Sequence, residues 1–365
     1  INDPLKKLYS IKILNPKKVN TDMFKAETQL LESIDNPHVL KIYSHGIGIK
    51  KKKNGKTKEV YYILMEYINH GELLKFITNI NNARGFGEEL GKLIFKQLLD
   101  GLEALHNKNI VHRDIKPENI LIGGEDYIMK FVDLGFATNK SGMYLNNYLG
   151  TPSYAAPEIH LRSPYLGEYC DIFSLGITLF VIVTGGLPFK LPVPNDNLYQ
   201  YFVRNDYLGY WRQRKVKVSV SFMQLFDNLV AFDYTQRPSI SEIRKSKWMQ
   251  DINYDLLPSL KNEFINREKL FLQKIINKNN NQINKENEKQ KYVGLLETKK
   301  IKRDEEINHF VGNNAKNVNK IANMDIENNQ NLNKSIKMNE NNKFHGTRRL
   351  QVEVKNLNTV MTEII

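Results

Sequence analysis

His112-Arg113-Asp114-Ile115-Lys116-Pro117-Glu118-Asn119 is the stretch from which the rest of the chain is best read. It follows the apolar pair Ile110-Val111 and packs an acid, a base and an amide within six positions. Any two of these residues would make an ordinary charged surface turn. Nineteen residues after Asp114 comes Asp133-Leu134-Gly135, led in by the strand-like segment Ile128–Val132. Gly150-Thr151-Pro152 and Ala156-Pro157-Glu158 follow. Four unusual strings in one order and at compact spacing are very hard to obtain by chance.

Composition sets the frame around them. The 365 residues are 41% hydrophobic, 25% charged and 10% aromatic, enough apolar mass to exclude a wholly disordered chain. Cys170 is the single cysteine, which excludes a disulfide framework or a thiolate-rich metal site and fits a reducing intracellular compartment, cytoplasmic or nuclear. No apolar run reaches the roughly 18 residues of a membrane helix. The longest, Ile172–Val183, contains Ser174, Gly176 and Thr178 and reads as a buried core helix. No basic-then-apolar leader is visible, so no signal peptide is expected. A net charge of +13 suits nucleic acid, anionic lipid or acidic proteins without choosing among them.

The chain changes character near residue 250. Trp248 and Pro258 are the last of their kinds, and Ile252–Ile365 holds 24 asparagines in 114 residues. Two units are expected: a globular domain over 1–250 and an Asn/Lys-rich tail over 251–365, partly helical and largely disordered. Within the domain, short β-rich runs come first, at Leu8–Leu14, Val39–Ile47 and Val60–Glu66. Gly48–Lys58 between the last two reads as a solvated hairpin turn. Leu90, Ile94, Leu98, Leu102 and Leu105 then recur at helical spacing and predict a long amphipathic helix over Glu88–Lys108. Further helices are expected around Asp171–Thr184, Phe222–Val230 and Ser239–Trp248. The fold class is therefore α+β, with a small β-rich lobe before a larger helical one.

The four strings resemble the signature set of the eukaryotic protein kinases, serine/threonine branch. The likeness covers roughly residues 1–250 and extends to Tyr9-Ser10-Ile11-Lys12, Met65-Glu66-Tyr67-Ile68, Asp171-Ile172-Phe173-Ser174 and Arg237-Pro238. Tyr154-Ala155-Ala156-Pro157-Glu158 looks most like the calcium/calmodulin-dependent and AMP-activated group. The resemblance implies a bilobal fold and transfer of the γ-phosphate of Mg-ATP to protein hydroxyls, a reaction of positioning and charge stabilisation.

Roles follow residue by residue from that likeness. Lys12 would grip the α- and β-phosphates, with Glu27 holding its ammonium and Glu32 the weaker competitor. Asn119 and Asp133 would supply hard oxygen ligands to magnesium. Asp114 would orient the substrate hydroxyl and accept its proton, Lys116 would steady the γ-phosphate, and Thr151 would support the loop. Adenine would lie over Leu121 and bond the backbone of Glu66 and Ile68, behind Met65 as gatekeeper. Other motif residues read as architecture: His112 as a core histidine, Glu158 with Arg237 as a buried ion pair, Asp171 as an anchor of the loop backbone. The rival reading is a pseudokinase scaffold, but Lys12, Asp114 and Asp133 are all present. A basic nucleic-acid binder rests on charge alone, without the aromatic-and-basic pattern of single-strand binders.

Several departures shape the expectations. Residues 1–20 contain no glycine, so the family's glycine-rich loop and first strands lie outside this chain; truncation and weak ATP binding are expected. Leu134, Phe173 and Ser10 replace the usual Phe, Trp and Ala at packing positions. Arg113 usually meets a phosphate three residues before Gly150, where Asn147 cannot carry one; Ser141, Tyr144 and Tyr148 stand elsewhere. Activity is thus expected without phosphorylation at that place. Glu72, and less specifically Glu118, suggest a basophilic enzyme, Val181 argues against a second arginine preference, and Phe136 suggests serine over threonine. In the tail, Leu260, Phe264, Ile265, Phe271 and Ile275 form a rough helical stripe, read as a helix packing on the lobe or as a segment for a calmodulin-like regulator. The alternation Leu350–Val354 hints at one strand.

Overall fold

Alternation of apolar and polar residues builds the first sheet. In the computed structural model, described over residues 8–16, 21–51, 54–78, 85–139, 141–278 and 286, strands β1 (Tyr9–Leu14), β2 (Ile42–Lys51) and β3 (Thr57–Glu66) pair antiparallel in the order β1-β3-β2. Helix α1 (Thr21–Glu32) follows β1 in the chain. The register sets Lys12 beside Ile63 and Ser10 beside Met65, so these four share the face that looks into the cleft described below. Two expectations shift here. The segment expected as a turn over Gly48–Lys58 is mostly strand, paired out to Lys51 and Thr57. Val39 makes only a parallel bridge to Phe131, and β2 begins at Ile42.

A short bridge of β4 (Gly71–Glu72) and α2 (Leu73–Thr78) leads to α3 (Gly87–His106), the expected amphipathic helix. Its Ile94, Leu98, Leu102 and Leu105 are fully buried. Strand β5 (Ile120–Gly123) pairs with β4 on one side and with β6 (Ile128–Phe131) on the other, and β5 and β6 carry the catalytic-type strings at their ends. The small pair β7 (Tyr144–Leu145) and β8 (Tyr165–Leu166) encloses α4 (Pro157–His160).

Helix α5 (Gly167–Thr184) is the axis of the helical lobe. It is 18 residues long with a mean hydropathy of 1.5, but 83% of it is buried inside the fold, which makes it a core helix. It ends at Gly185, whose φ of 87° lies in the left-handed region that glycine enters without strain. Helices α6 (Gln200–Val203), α7 (Tyr207–Arg214) and α8 (Val220–Leu229) pack an aromatic cluster, Tyr199, Phe202, Tyr210, Trp211 and Phe226, beside Phe180 of α5. The helix expected over Ser239–Trp248 is two, α9 (Ile240–Lys245) and α10 (Lys247–Gln250), because Ser246 breaks the turn and caps the second.

The chain divides into two compact units, Ile1–Phe271 and Leu272–Ile365. The first is helical again over 257–271, where Leu260 and Phe264 are buried and Arg267 donates to the carbonyls of Phe76 and Gly85. The second is helical at 272–278 and 286, with Leu272, Ile275 and Ile276 exposed. The possible strand at Leu350–Val354 lies outside the described residues.

Candidate active site

Between the sheet and the helical lobe lies a cleft of about 350 Å³. Lys12 of β1, Met65 and Glu66 at the end of β3, Ile68, Leu121 of β5, and Asp133 line it, six residues singled out from sequence for the nucleotide, together with Ser10 and Leu134. Leu40, Ile42, Ile63 and Val132 complete its aliphatic walls. Sequence reading missed these four. The signal was there for Ile63 and Ile42, as inward positions of runs already read as strands.

Lys12 Nζ lies 3.6 Å from Asp133 Oδ1, the ion pair that spans the cleft. Glu27 stands on α1, and its side chain lies outside the described residues. Glu32, the other candidate for Lys12, instead meets His45 Nε2 at 3.0 Å. Glu66 is held by two groups that sequence did not suggest: Lys130 Nζ at 3.0 Å and the donating backbone N–H of Lys41 at 2.8 Å. These fix the segment joining the lobes.

The quoted stretch forms a tightly held loop. Asp171 of α5 accepts the backbone N–H groups of His112 and Arg113, both at 2.8 Å, and meets His106 Nε2 at 3.0 Å. These bonds hold Arg113 at φ 67°, a left-handed conformation a non-glycine residue adopts at a cost. His112 is fully buried beside Phe131, and burial pushes its pKa down, so it is a neutral core residue. Gly150 sits where a Cβ would come within 2.9 Å of the Arg113 carbonyl, so the following segment can approach only without a side chain.

That approach brings Thr151 onto Asp114. The Thr151 N–H donates to Asp114 Oδ1 at 2.9 Å and its hydroxyl to the same oxygen at 2.8 Å. Asn119 Nδ2 donates to Asp114 Oδ2 at 2.8 Å, and Lys116 Nζ lies 2.9 Å from that oxygen and donates to Thr151 Oγ1 at 2.5 Å. Burial disfavours the charge on Asp114, but the donors Lys116, Thr151 and Asn119 outweigh it and hold the carboxyl below its ordinary range. Asp114 is thus an anion at neutral pH, fixed in orientation. Farther out, Arg237 donates to both oxygens of Glu158, at 2.7 and 2.8 Å. Cys170, buried against the same carboxylate, donates its thiol to Glu158 Oε1.

Among the described residues no cluster of three or more His, Cys, Asp or Glu could hold a metal ion unaided. Asp133 and Asn119 provide one carboxylate and one amide, the sparse donor set that suits magnesium when phosphate oxygens and water complete its shell.

The sequence matches the model of the protein kinase domain over residues 1–249. It is 32% identical over 248 residues to the serine/threonine-protein kinase SIK2 of Gallus gallus, covering 66% of this chain and 28% of that protein. It is 33% identical over 233 residues to the serine/threonine-protein kinase kin-29 of Caenorhabditis briggsae, covering 64% and 26%. With the calcium-dependent protein kinase 5 of Plasmodium falciparum it shares 30% identity over 248 residues, 66% of this chain and 40% of that protein. The match thus spans between about a quarter and two fifths of the length of these relatives.

Proposed function

The chain belongs to the protein kinase family and within it to the serine/threonine type, and on that premise we propose that it transfers the γ-phosphate of Mg-ATP to serine, less readily to threonine, in basic protein segments. The observation that carries this reading is the convergence of Lys116, Thr151 and Asn119 on the Asp114 carboxylate, beside a cleft crossed by Lys12 and Asp133. A scaffold without catalysis would have no need to keep these groups in register.

In this reading each residue works through its position. The aliphatic walls, Leu121 among them, suit a flat apolar base, whose edge meets the backbone of Glu66 and Ile68 past Met65. Lys12 sets a positive charge against phosphate oxygens, and Glu27 on α1 is its proposed partner. Magnesium, when bound, neutralises phosphate charge; Asp133 and Asn119 are the residues that would hold it. Asn119 spends its nitrogen on Asp114, which leaves its oxygen as the ligand. Asp114 aligns the substrate hydroxyl and takes its proton, while Lys116 counters the charge that develops nearby.

Specificity for basic peptides is supported by two carboxylates. Glu72 is half-exposed and pairs with Lys75 at 3.6 Å, a contact a substrate arginine would displace. Glu118, the less specific of the two, keeps a buried Oε2 without a hydrogen-bond partner among the described residues. Phe136 supports the preference for serine. The same reading divides the protein into a catalytic domain over 1–250 and a tail over 251–365, with exposed Leu272, Ile275 and Ile276 as the place for a calmodulin-like regulator. It assigns an intracellular setting, in keeping with the free Cys170.

The test is label transfer from γ-labelled ATP to a basic serine peptide by the full chain, with Asp114→Asn as control. Transfer that disappears in the control supports the reading. Equal incorporation by both proteins, or none by either at millimolar Mg-ATP, overturns it.

A further inference from the structure

The segment that leaves the cleft toward the helical lobe is gripped from two sides. On the inner side it lies along β5. The His70 N–H donates to the Ile122 carbonyl at 3.0 Å, and Asn69 Oδ1 accepts the Gly124 N–H at 2.9 Å. β4 continues the ladder, with Gly71 opposite Ile122 and Glu72 opposite Leu121. A Cβ on Gly123 would come within 3.0 Å of the Ile68 side chain, so strand and segment touch there too. Ile68 and Leu121, joined in this way, both line the cleft.

The outer grip comes from a residue 198 positions away, Glu268 on the helix over 257–271. Its carboxylate is used twice: His70 Nδ1 lies 3.1 Å from Oε1, and the Tyr127 hydroxyl donates to Oε2 at 3.3 Å. With Nδ1 turned to the carboxylate as the donor, Nε2 is left to accept from Asn69 Nδ2 at 3.0 Å; the Gly124 carbonyl oxygen stands at the same distance. The His70 ring stacks on Tyr127, centroids 4.3 Å apart at 18°, and Tyr127 stacks in turn on Phe264 at 5.1 Å and 7°. Tyr127 holds φ 54°, a left-handed conformation that a bulky residue keeps only where its surroundings fix it. Lys261 of the same helix also meets the β5–β6 turn, at Asp126, 3.4 Å away, but as a solvent-open pair that contributes little.

We propose that Glu268 is a positioning residue for the nucleotide base. The proposal rests on the Mg-ATP reading above and extends it. By fixing His70 and Tyr127, Glu268 sets the Ile68 backbone, which meets the edge of the base, against Leu121, which lies beneath the ring. A base held at its edge and face loses affinity when that frame shifts by a fraction of an ångström. The groups assigned to phosphate and magnesium, Lys12, Asp133 and Asn119, stand on other elements. The effect of Glu268 therefore falls on recognition of the base, and neither on the triphosphate nor on the transfer step.

The test is displacement of fluorescent trinitrophenyl-ATP from the full chain by Mg-ATP and, separately, by magnesium tripolyphosphate, which has no base. Glu268→Ala should weaken Mg-ATP about fivefold, the share of one neutral hydrogen bond, and leave tripolyphosphate unchanged. In peptide assays the KM for ATP should rise by the same factor, with kcat within about twofold of the parent. Glu268→Gln keeps one carbonyl acceptor and should lie between the two. His70→Phe keeps the ring stack, loses the nitrogen bonds and should match Glu268→Ala. The double variant should be no weaker than either single, because both break the same chain of contacts. Lys261→Ala should bind as the parent does. Parental Mg-ATP affinity in Glu268→Ala and His70→Phe overturns the proposal and leaves the Mg-ATP reading standing. Equal weakening of both ligands overturns it as well, since the cleft as a whole has then loosened. A parent chain that binds no Mg-ATP removes that reading and the proposal with it.

Discussion

Thr151 holds Asp114 twice, through its N–H at 2.9 Å and its hydroxyl at 2.8 Å, both on Oδ1. The Asp114 carboxylate is therefore oriented by a residue 37 positions away, on a segment that Gly150 alone allows so close. Replacing Thr151 by Val removes one charge-assisted bond and the acceptor for Lys116. Such a bond contributes about 1.5–3 kcal/mol, so kcat should fall roughly 10–100-fold, while Thr151→Ser stays near the parent. Steady-state kinetics on a basic peptide checks this. Loss in Thr151→Ser with Thr151→Val near the parent would show that the methyl group, not the hydroxyl, matters.

The activation-type segment is tied down without a phosphate. Tyr165 donates its hydroxyl to the Asn147 carbonyl at 2.6 Å, and Arg113 donates Nε to the Phe136 carbonyl at 2.5 Å. Activity should therefore survive phosphatase treatment within about twofold, and Tyr165→Phe should lower it by roughly the 5- to 10-fold that one hydrogen bond of about 1 kcal/mol allows. A collapse of activity after dephosphorylation would show that another hydroxyl, among Ser141, Tyr144 and Tyr148, carries a needed phosphate.

Much of this site was legible in the sequence because its residues sit in short strings whose order survives folding. Asp114, Lys116, Asn119 and Thr151 come together, Asp133 meets Lys12 across the cleft, and Asp171 anchors the loop through the backbone of His112 and Arg113. The walls of the cleft were less legible, since Leu40 and Val132 look like any apolar residue until the sheet places them. The Gly48–Lys58 segment misled because lysines and a glycine usually mark a turn, yet cross-strand bonds extend the ladder past the point where propensity ends. Nothing in the spacing of Glu66 and Lys130 announced their 3.0 Å pair, which two separate strands create.

Buried charge gives a stability prediction. Arg237 donates to both Glu158 oxygens and also to the carbonyls of Ala231 and Tyr169, so removing it strands several acceptors at once. Arg237→Met should cost about 3–5 kcal/mol in urea unfolding. The double variant with Glu158→Leu should cost less than the sum of the singles, because no lone charge remains. Burial disfavours the Glu158 anion, but Arg237 outweighs it and lowers the pKa. That stability is present above the ordinary glutamate pKa of 4.5 and is lost as pH falls through the lower folded value.

Asp227 has the opposite sign. It lies buried between α7 and α8 with its oxygens 3.0 and 3.2 Å from the donating Trp211 indole, and burial raises its pKa from 3.8 to about 7. Between those values the folded protein keeps a proton that the unfolded chain has released, so stability falls as pH rises through that window. Asp227→Asn keeps an acceptor for the indole and removes the charge. It should gain about 2–4 kcal/mol at pH 8 and nearly nothing near pH 4. Parallel urea unfolding curves at the two pH values decide it; a variant no more stable at pH 8 would mean that Asp227 ionises without penalty.

Arg267 shows how the segment past residue 250 belongs to the first unit. Its guanidinium stacks 3.8 Å from the Phe86 ring centroid and donates to the carbonyls of Phe76 and Gly85, while Nε meets Glu263 at 2.9 Å. One turn away Phe264 stacks on Tyr127 at 5.1 Å and packs edge-on against Phe76 at 5.3 Å. The arginine therefore closes the chain ends that flank 79–84, and the phenylalanine covers their apolar side. Arg267→Met keeps the stem but orphans two buried carbonyls, which should cost about 2–4 kcal/mol. In a domain of this size that lowers the melting temperature by roughly 4–16 °C. A chain ended at residue 255 should lose more, because Phe76, Phe86 and Tyr127 become exposed together, and should bind a hydrophobic dye that the full chain ignores. If the shortened chain melts at the parent temperature and stays dye-silent, residues 256–271 only rest on the domain, and the Arg267 bonds are replaced by water at no net cost.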